Sequence, residues 1–299
     1  MNLQHNRRAS LAALAASMLI FGTIGLFRRW IPLSSGLLSL TRAVLGTLFL
    51  LGFCALKRRR LAQLPPLGQS VPLLLSGALM GFNWILLFEA YRFTTVAVAT
   101  LCYYMQPTIL IVLSPLLLGE KLNGRKLLCA GAAVVGMVLV SGVGTGDGTG
   151  DVRGIALGLS AAALYAAIII LNKKLTGVDP FQRTVFQLGA AALTLLPYEL
   201  LTEQWSSVRL TAPAAAALLV VGLVHTGLAY TLYFSSVEAL SGQTLALMSY
   251  IDPASALLFS ALLLREPLGL RGAAGAVLIL ASAAISELIS SNAPKTITT

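Results

Sequence analysis

Residues 101–125 read LCYYMQPTILIVLSPLLLGEKLNGR, and residues 247–271 read LMSYIDPASALLFSALLLREPLGLR. At an offset of 146 positions the two agree at Leu101, Tyr104, Pro107, Ser114, Leu116, Leu117, Leu118, Glu120, Leu122 and Arg125, ten matches in twenty-five. Shared apolar composition supplies the leucines. It does not supply a proline, a tyrosine, a glutamate and an arginine at one fixed offset, so the chain reads as two copies of one unit. The proline is the odd member, because it lacks a backbone N–H and its ring clashes with the carbonyl four residues back, kinking or breaking a helix.

Working outward, the composition explains what such a unit sits in. The 299 residues are 57% hydrophobic and 11% charged, with a mean hydropathy of +0.84, against roughly 25% charged residues in a soluble domain. The apolar residues come in runs of about 20 separated by short polar stretches, the spacing of membrane-spanning helices. Barrel strands would be shorter and would alternate in polarity; AALLVVGLVHTGLAY at 216–230 does not alternate. The chain therefore reads as an all-α integral membrane protein.

Ten spans fit: 11–27, 36–56, 71–91, 95–118, 126–143, 154–172, 181–201, 212–234, 241–264 and 270–289. Arg7 and Arg8 before the first apolar run resemble the start of a secretory signal, but more spans follow, and the run is read as a retained first span. An even number puts both termini on one side. Basic loop residues then orient the chain: thirteen Lys and Arg, including the KRRR cluster at 57–60, fall on the side of the termini and eight on the other. That places both termini in the cytoplasm. The net charge of +10 is thereby assigned to topology and not to nucleic acid, while an anionic-lipid site is the alternative reading of KRRR. Cys54, Cys102 and Cys129 all lie in apolar segments and form no disulfide framework.

The Gly-rich stretch GVGTGDGTGDVRG at 142–154 lies near the chain midpoint. It has neither a G-x-G-x-x-G register nor a Gly-Lys-Ser/Thr, so it is read as a flexible connector and not a phosphate cradle. The halves are 1–143 and 154–299, joined by 144–153. Five spans per half is odd, so the second half crosses the membrane in the opposite sense. Inverted repeats with a central cavity at their interface are a recurring architecture of secondary transporters. Duplication can also build a channel or a membrane enzyme.

Residues with chemistry cluster near the prolines. In a membrane helix Pro107 frees the carbonyl of Tyr103, and Pro253 that of Ser249, each then needing another partner. Tyr103, Tyr104 and Gln106 surround one break, Ser249, Tyr250 and Asp252 the other. Both prolines are candidate gating hinges, with a packing kink as the competing reading. Ionisable residues inside spans are functional candidates by default. His225 is the mid-span group whose ordinary pKa, about 6.5, lies nearest neutrality. Asp252 could take a substrate ammonium, and Arg42 a carboxylate, although Arg42 could also snorkel to the interface. Glu89 and Arg92, one turn apart, read as an ion pair. Asn83, Trp84, Tyr165 and Tyr230 complete a candidate substrate wall: aromatic faces for an apolar side chain, hydroxyls and amides for charged ends. GALMG at 77–81 and GIALG at 154–158 are small-residue patterns for close helix packing.

Two such repeats, each with a proline-interrupted span followed by LLLGEKL or LLLREPL, an Arg in the second span (Arg42 in SLTRAVLG) and a weaker counterpart (Arg183 in FQRTVFQ), resemble the drug/metabolite transporter superfamily and its EamA-type carriers. RFTTVAVATLCYYMQP and the His of the eighth span are most similar to bacterial amino-acid exporters of the YddG kind. LIFGTIGLF at 19–27 departs from that pattern, which has Trp-Gly-Ser there. The resemblance implies ten spans, cytoplasmic termini, a shared central cavity and export across the bacterial inner membrane.

The function expected is secondary transport of small neutral metabolites, chiefly amino acids, by alternating access. Another metabolite or drug of the same superfamily is the alternative. No nucleotide-binding signature offers ATP as direct driver, and no cofactor or metal motif occurs. A membrane enzyme is disfavoured by only two histidines, His5 and His225, no H-E-x-x-H and no carboxylate pair at helical spacing within a span. A passive channel remains open on the residues alone. The partners expected are the bilayer and a small-molecule substrate, and a monomer is compatible with the pattern.

Overall fold

Apolar runs of this length become helices because no water in the bilayer core can satisfy a free backbone donor or acceptor. The computed structural model describes residues 7–58, 65–118, 124–141, 151–237, 240, 242–266 and 268–291, and among them the chain is helical with no β-strand. Most of the Gly-rich connector lies outside the described residues, as do Arg59, Arg60, Glu120, Lys121 and Lys295.

The helices in order are α1 (Arg7–Gly22), α2 (Ile24–Trp30), α3 (Ser35–Leu56), α4 (Leu67–Phe93), α5 (Val96–Tyr103), α6 (Gln106–Leu118) and α7 (Gly124–Ser141). They continue with α8 (Val152–Lys173), α9 (Pro180–Thr202), α10 (Ala212–Leu219), a π-helical segment Val220–Leu228 and α11 (Ala229–Val237). The last are α12 (Gly242–Ser249), α13 (Ile251–Leu263) and α14 (Leu270–Ser291). Side-chain oxygens start several of them: Ser34 accepts from Leu37 N, Thr95 from Val98 N, Asp179 from Gln182 N and Thr211 from Ala214 N.

Seven segments among the described residues are long and apolar enough to cross a membrane: Arg7–Trp30, Ser35–Leu56, Leu67–Phe93, Val96–Leu113, Val152–Lys173, Pro180–Thr202 and Ala212–Ser236. Ile251–Leu263 and Leu270–Ser286 are shorter apolar helices. Three expected spans are not single helices. The first breaks at Thr23, 95–118 breaks at Tyr104–Met105, and 241–264 breaks at Tyr250. The eighth passes through a nine-residue π turn. Apolar content marks where a span runs, whereas these breaks come from local backbone bonding that composition does not register.

The polarity of the bundle is that of a membrane protein. Large apolar side chains reach the outer surface, Leu56 85%, Leu201 86% and Leu270 92% exposed among them, while Ser17, Ser39, Ser76, Asn83, Gln187 and Thr226 are buried. The interior polar groups are largely satisfied by backbone: Ser39 donates to Ser35 O, Thr41 to Leu37 O and Ser17 to Ala229 O. Helix α4 packs on α8 and α9, α3 on α9 and the π segment, α1 on α11 and α13, and α7 on α14. The small-residue patterns sit at these seams. A methyl on Gly77 would fall 2.5 Å from Gln187 O in α9, and one on Gly158 would fall 2.7 Å from Cys102 in α5.

Candidate functional site

Where the broken helices meet, the bundle encloses a cavity of about 330 Å³. Its wall draws on both halves of the chain: Phe21 and Gly22 of the first span, Arg42 of α3, Trp84 and Tyr91 of α4, Thr100 and Tyr103 of α5, and Tyr104 at the break. From the second half come Tyr165 and Asn172 of α8, Arg183, Thr184 and Gln187 of α9, Tyr230, Tyr233 and Phe234 of α11, Ser249, and Asp252 of α13.

Arg42 is 5% exposed, and its guanidinium is fixed on two sides. Its Nε donates to Thr226 Oγ1 at 2.9 Å, and its face lies over the Trp84 ring, 4.0 Å from the centroid, a cation–π contact. Its terminal nitrogens have no hydrogen-bond partner among the described residues. A guanidinium with its terminal nitrogens unpaired on a cavity wall suits a carboxylate.

Asp252 lies on the same cavity. Its Oδ2 accepts from Tyr104 Oη at 2.7 Å, and Oδ1 has no partner among the described residues. Gly22 lets the first-span break approach this point closely: a methyl there would lie 2.8 Å from Asp252 O. Aromatic rings line the same cavity. Tyr103 and Tyr165 stack with centroids 5.4 Å apart and planes 10° apart, and Tyr230 stacks on Phe234 at 6.1 Å.

Several sequence candidates lie elsewhere. Asn83 is 1% exposed and joins helices, donating to Ala161 O and accepting from Tyr103 Oη. His225 is also 1% exposed; its Nε2 is 2.8 Å from Thr23 Oγ1 and its ring meets Phe27 edge to face at 4.9 Å. It sits behind the wall and ties the π segment to the first-span break. Gln106 and Tyr250 do not line the cavity. The prolines are placed differently from a mid-helix kink. Pro107 is the second residue of α6 and Pro253 the third of α13, first-turn positions where a missing N–H costs little. The chain has already broken upstream, with Met105 N bonding Cys102 O.

The sequence reading did not include Phe21, Gly22, Tyr91, Thr100, Asn172, Arg183, Thr184, Gln187 or Phe234 as wall residues. One signal was available: Arg183, Thr184 and Gln187 at i, i+1 and i+4 make a polar stripe on an apolar helix. In the structure Gln187 donates to Ser76 Oγ at 2.6 Å and Asn172 Oδ1 at 2.8 Å.

Tyr91 also borders a second chamber of about 550 Å³, lined by Arg28, Arg29, Ile31, Pro32, Leu33, Ser34 and Arg92. Its Oη meets Thr100 Oγ1 at 3.3 Å. Around this chamber Arg92 pairs with Glu89 at 2.9 Å. Glu266 bonds Arg29, the Val96 N–H at 3.0 Å and Ser260 Oγ at 2.8 Å. Ser34 donates to Glu203, and Glu199 joins the same cluster. Glu199 and Glu203 form a carboxylate pair straddling the end of α9, one inside the expected span 181–201 and one beyond it.

The family model of the EamA-like transporters matches the chain twice, at residues 8–142 and 152–288. The chain is 30% identical over 251 residues to the uncharacterized transporter YxxF of Bacillus subtilis (strain 168), covering 81% of this chain and 77% of that one. It is 33% identical over 238 residues to protein PecM of Dickeya dadantii (strain 3937), covering 76% and 77%. An uncharacterized transporter of Archaeoglobus fulgidus is 27% identical over 277 residues, 92% and 95% of the two chains. A solved crystal structure shares the fold, with a TM-score of 0.65 at 21% identity, covering 96% of this chain and 99% of its own. On this agreement of family model, relatives and apolar helical architecture, the chain belongs to the EamA-like transporter family and is a multi-pass membrane transporter.

Proposed function

We propose that the protein exports small zwitterionic metabolites, chiefly apolar or aromatic amino acids, across the bacterial inner membrane by alternating access. The observation that carries this reading is the pairing of Arg42 and Asp252 on one aromatic-walled cavity, each with an edge free for a ligand. A carboxylate fits the terminal nitrogens of Arg42, an ammonium fits Asp252, and Trp84, Tyr103, Tyr165 and Tyr230 take the side chain. The volume lies at the small end of the roughly 300 to 1,000 Å³ of ligand pockets.

The carrier in this reading has ten spans in two inverted halves, 1–143 and 154–299, with both termini cytoplasmic. Two matches of one family model and two helix breaks at the same offset, Tyr104 and Tyr250, support the duplication. The Arg183 end of the cavity then faces the cytoplasm and the Arg28 chamber faces outward. Tyr103, Tyr104 and Ser249 form the wall at the breaks, and Pro107 and Pro253 begin the helices that swing when the halves rock.

Counterflow in proteoliposomes tests this, with labelled phenylalanine and a panel of competitors. Free apolar amino acids should trans-stimulate exchange, while their N-acetyl and decarboxylated analogues should not. Equal exchange of those analogues would overturn the zwitterion reading, and exchange without trans-stimulation would favour a passive pore.

A further inference from the structure

We propose that Thr226, on the π segment behind the cavity wall, is the residue that positions the Arg42 guanidinium for its ligand. This rests on the reading of Arg42 as the carboxylate contact, but assigns to the π turn a task that reading does not contain. Thr226 does not line the cavity and is fully buried. Its hydroxyl accepts from Arg42 Nε at 2.9 Å and donates to Val221 O at 3.1 Å.

Those two bonds use both functions of the hydroxyl, and their geometry depends on the π turn. In an α-helix a threonine back-bonds to the carbonyl three or four residues earlier; here the acceptor is five residues earlier, as the wider turn requires. A π turn is rare and is found frequently at functional sites. Here it is clamped from two sides. Glycines bring it against α3: a methyl on Gly222 would fall 2.5 Å from Leu45, one on Gly227 would fall 2.3 Å from Phe49, and one on Gly46 of α3 would fall 2.4 Å from Thr226. On the other side His225 reaches Thr23 at 2.8 Å.

The consequence for Arg42 is specific. Stacking on Trp84 fixes the plane of the guanidinium but leaves it free to turn within that plane. The Nε bond to Thr226 removes that freedom and directs the two terminal nitrogens into the cavity. A bidentate carboxylate contact needs that orientation, since both N–H···O bonds form only when the planar fork meets the carboxylate edge on.

Substitutions at Thr226 and Arg42, assayed in proteoliposomes, test the assignment, read as KM and Vmax for a free amino acid and for its amide, which lacks the carboxylate. Thr226→Val keeps the shape and removes the hydroxyl. It should raise KM for the amino acid roughly tenfold, the size of a lost hydrogen bond to a charged group. Vmax and the KM for the amide should change little. Thr226→Ser restores the bond and should restore KM. On an Arg42→Lys background, which has no Nε at this point, Thr226→Val should add nothing further.

Equal impairment in the Val and Ser variants, or a full extra loss on the Lys background, would overturn the proposal. If Arg42→Ala erases the preference for acid over amide while Thr226→Val keeps it, Thr226 is excluded and the carboxylate reading stands. If Arg42→Ala itself keeps the preference, both fall.

Discussion

At the scale of single residues, burial alone does not assign a role. Arg42 and His225 are both ionisable, both lie within apolar spans and are almost fully enclosed, and the sequence offers both as site candidates. The structure separates them by what remains free after internal bonds are counted. Arg42 lines the cavity and keeps two terminal nitrogens without a hydrogen-bond partner among the described residues, whereas His225 faces Thr23 and Phe27 behind the wall. A proton-carrying His225 is therefore no longer the expectation. Replacing it with alanine should leave the pH profile of transport in place while lowering stability by on the order of 2 kcal/mol through the cavity it opens. Transport against pH and thermal melting in detergent check the two halves of this prediction, and a displaced profile would return the proton role to His225.

At the scale of elements, the functional geometry lies in the interruptions. Four spans depart from a continuous α-helix, at Thr23, Tyr104–Met105, Val220–Leu228 and Tyr250, and three of these sites abut the cavity wall. Ends of broken helices expose backbone groups at membrane depth, which is tolerated where they are enclosed by protein or line a cavity. Pro107 and Pro253 favour the break by refusing to continue the preceding helix and by starting the next one well. Proline-to-alanine changes at these first-turn positions should cost stability only about 1 kcal/mol or less, mainly through the unfolded chain. The turnover of transport should fall by a larger factor, because alanine lets the two short helices fuse. Folded yield by size-exclusion profile, set beside initial transport rate, distinguishes them; unchanged rates in both variants would remove the hinge role.

At the scale of the molecule, the central cavity and the arginine-lined chamber are separated by Tyr91, and Glu266 fastens the region around it. One carboxylate there ties α2 through Arg29, the start of α5 through the Val96 N–H, and α13 through Ser260. Glu266→Gln removes the charge from all three bonds. It should shift the balance toward an open chamber by roughly tenfold, the worth of a charge-assisted hydrogen bond. Faster labelling of a Tyr91→Cys variant by a membrane-impermeant maleimide, added from outside intact cells, would report it. Unchanged labelling would mean that Glu266 is not part of the closure.

The sequence by itself determined the class of this protein: a helical membrane chain, duplicated at an offset of 146 residues, with its prolines, tyrosines and acidic side chain at matched positions. Composition and periodicity suffice for that, because the bilayer forces apolar length and internal backbone bonding on every span. Trp84, Tyr103, Tyr104, Tyr165, Tyr230, Ser249, Asp252 and Arg42 were also legible as candidates, and the structure gathers them on one cavity. Only tertiary structure decided that Asn83, Gln106, His225 and Tyr250 lie off that wall, that Arg183 and Gln187 lie on it, and that Thr226 accepts a bond from Arg42 Nε. Which face of a buried helix meets the cavity depends on its neighbours, and in a bundle whose helices are apolar nearly all round the stripe of Arg183, Thr184 and Gln187 is an exception among faces the sequence leaves unmarked.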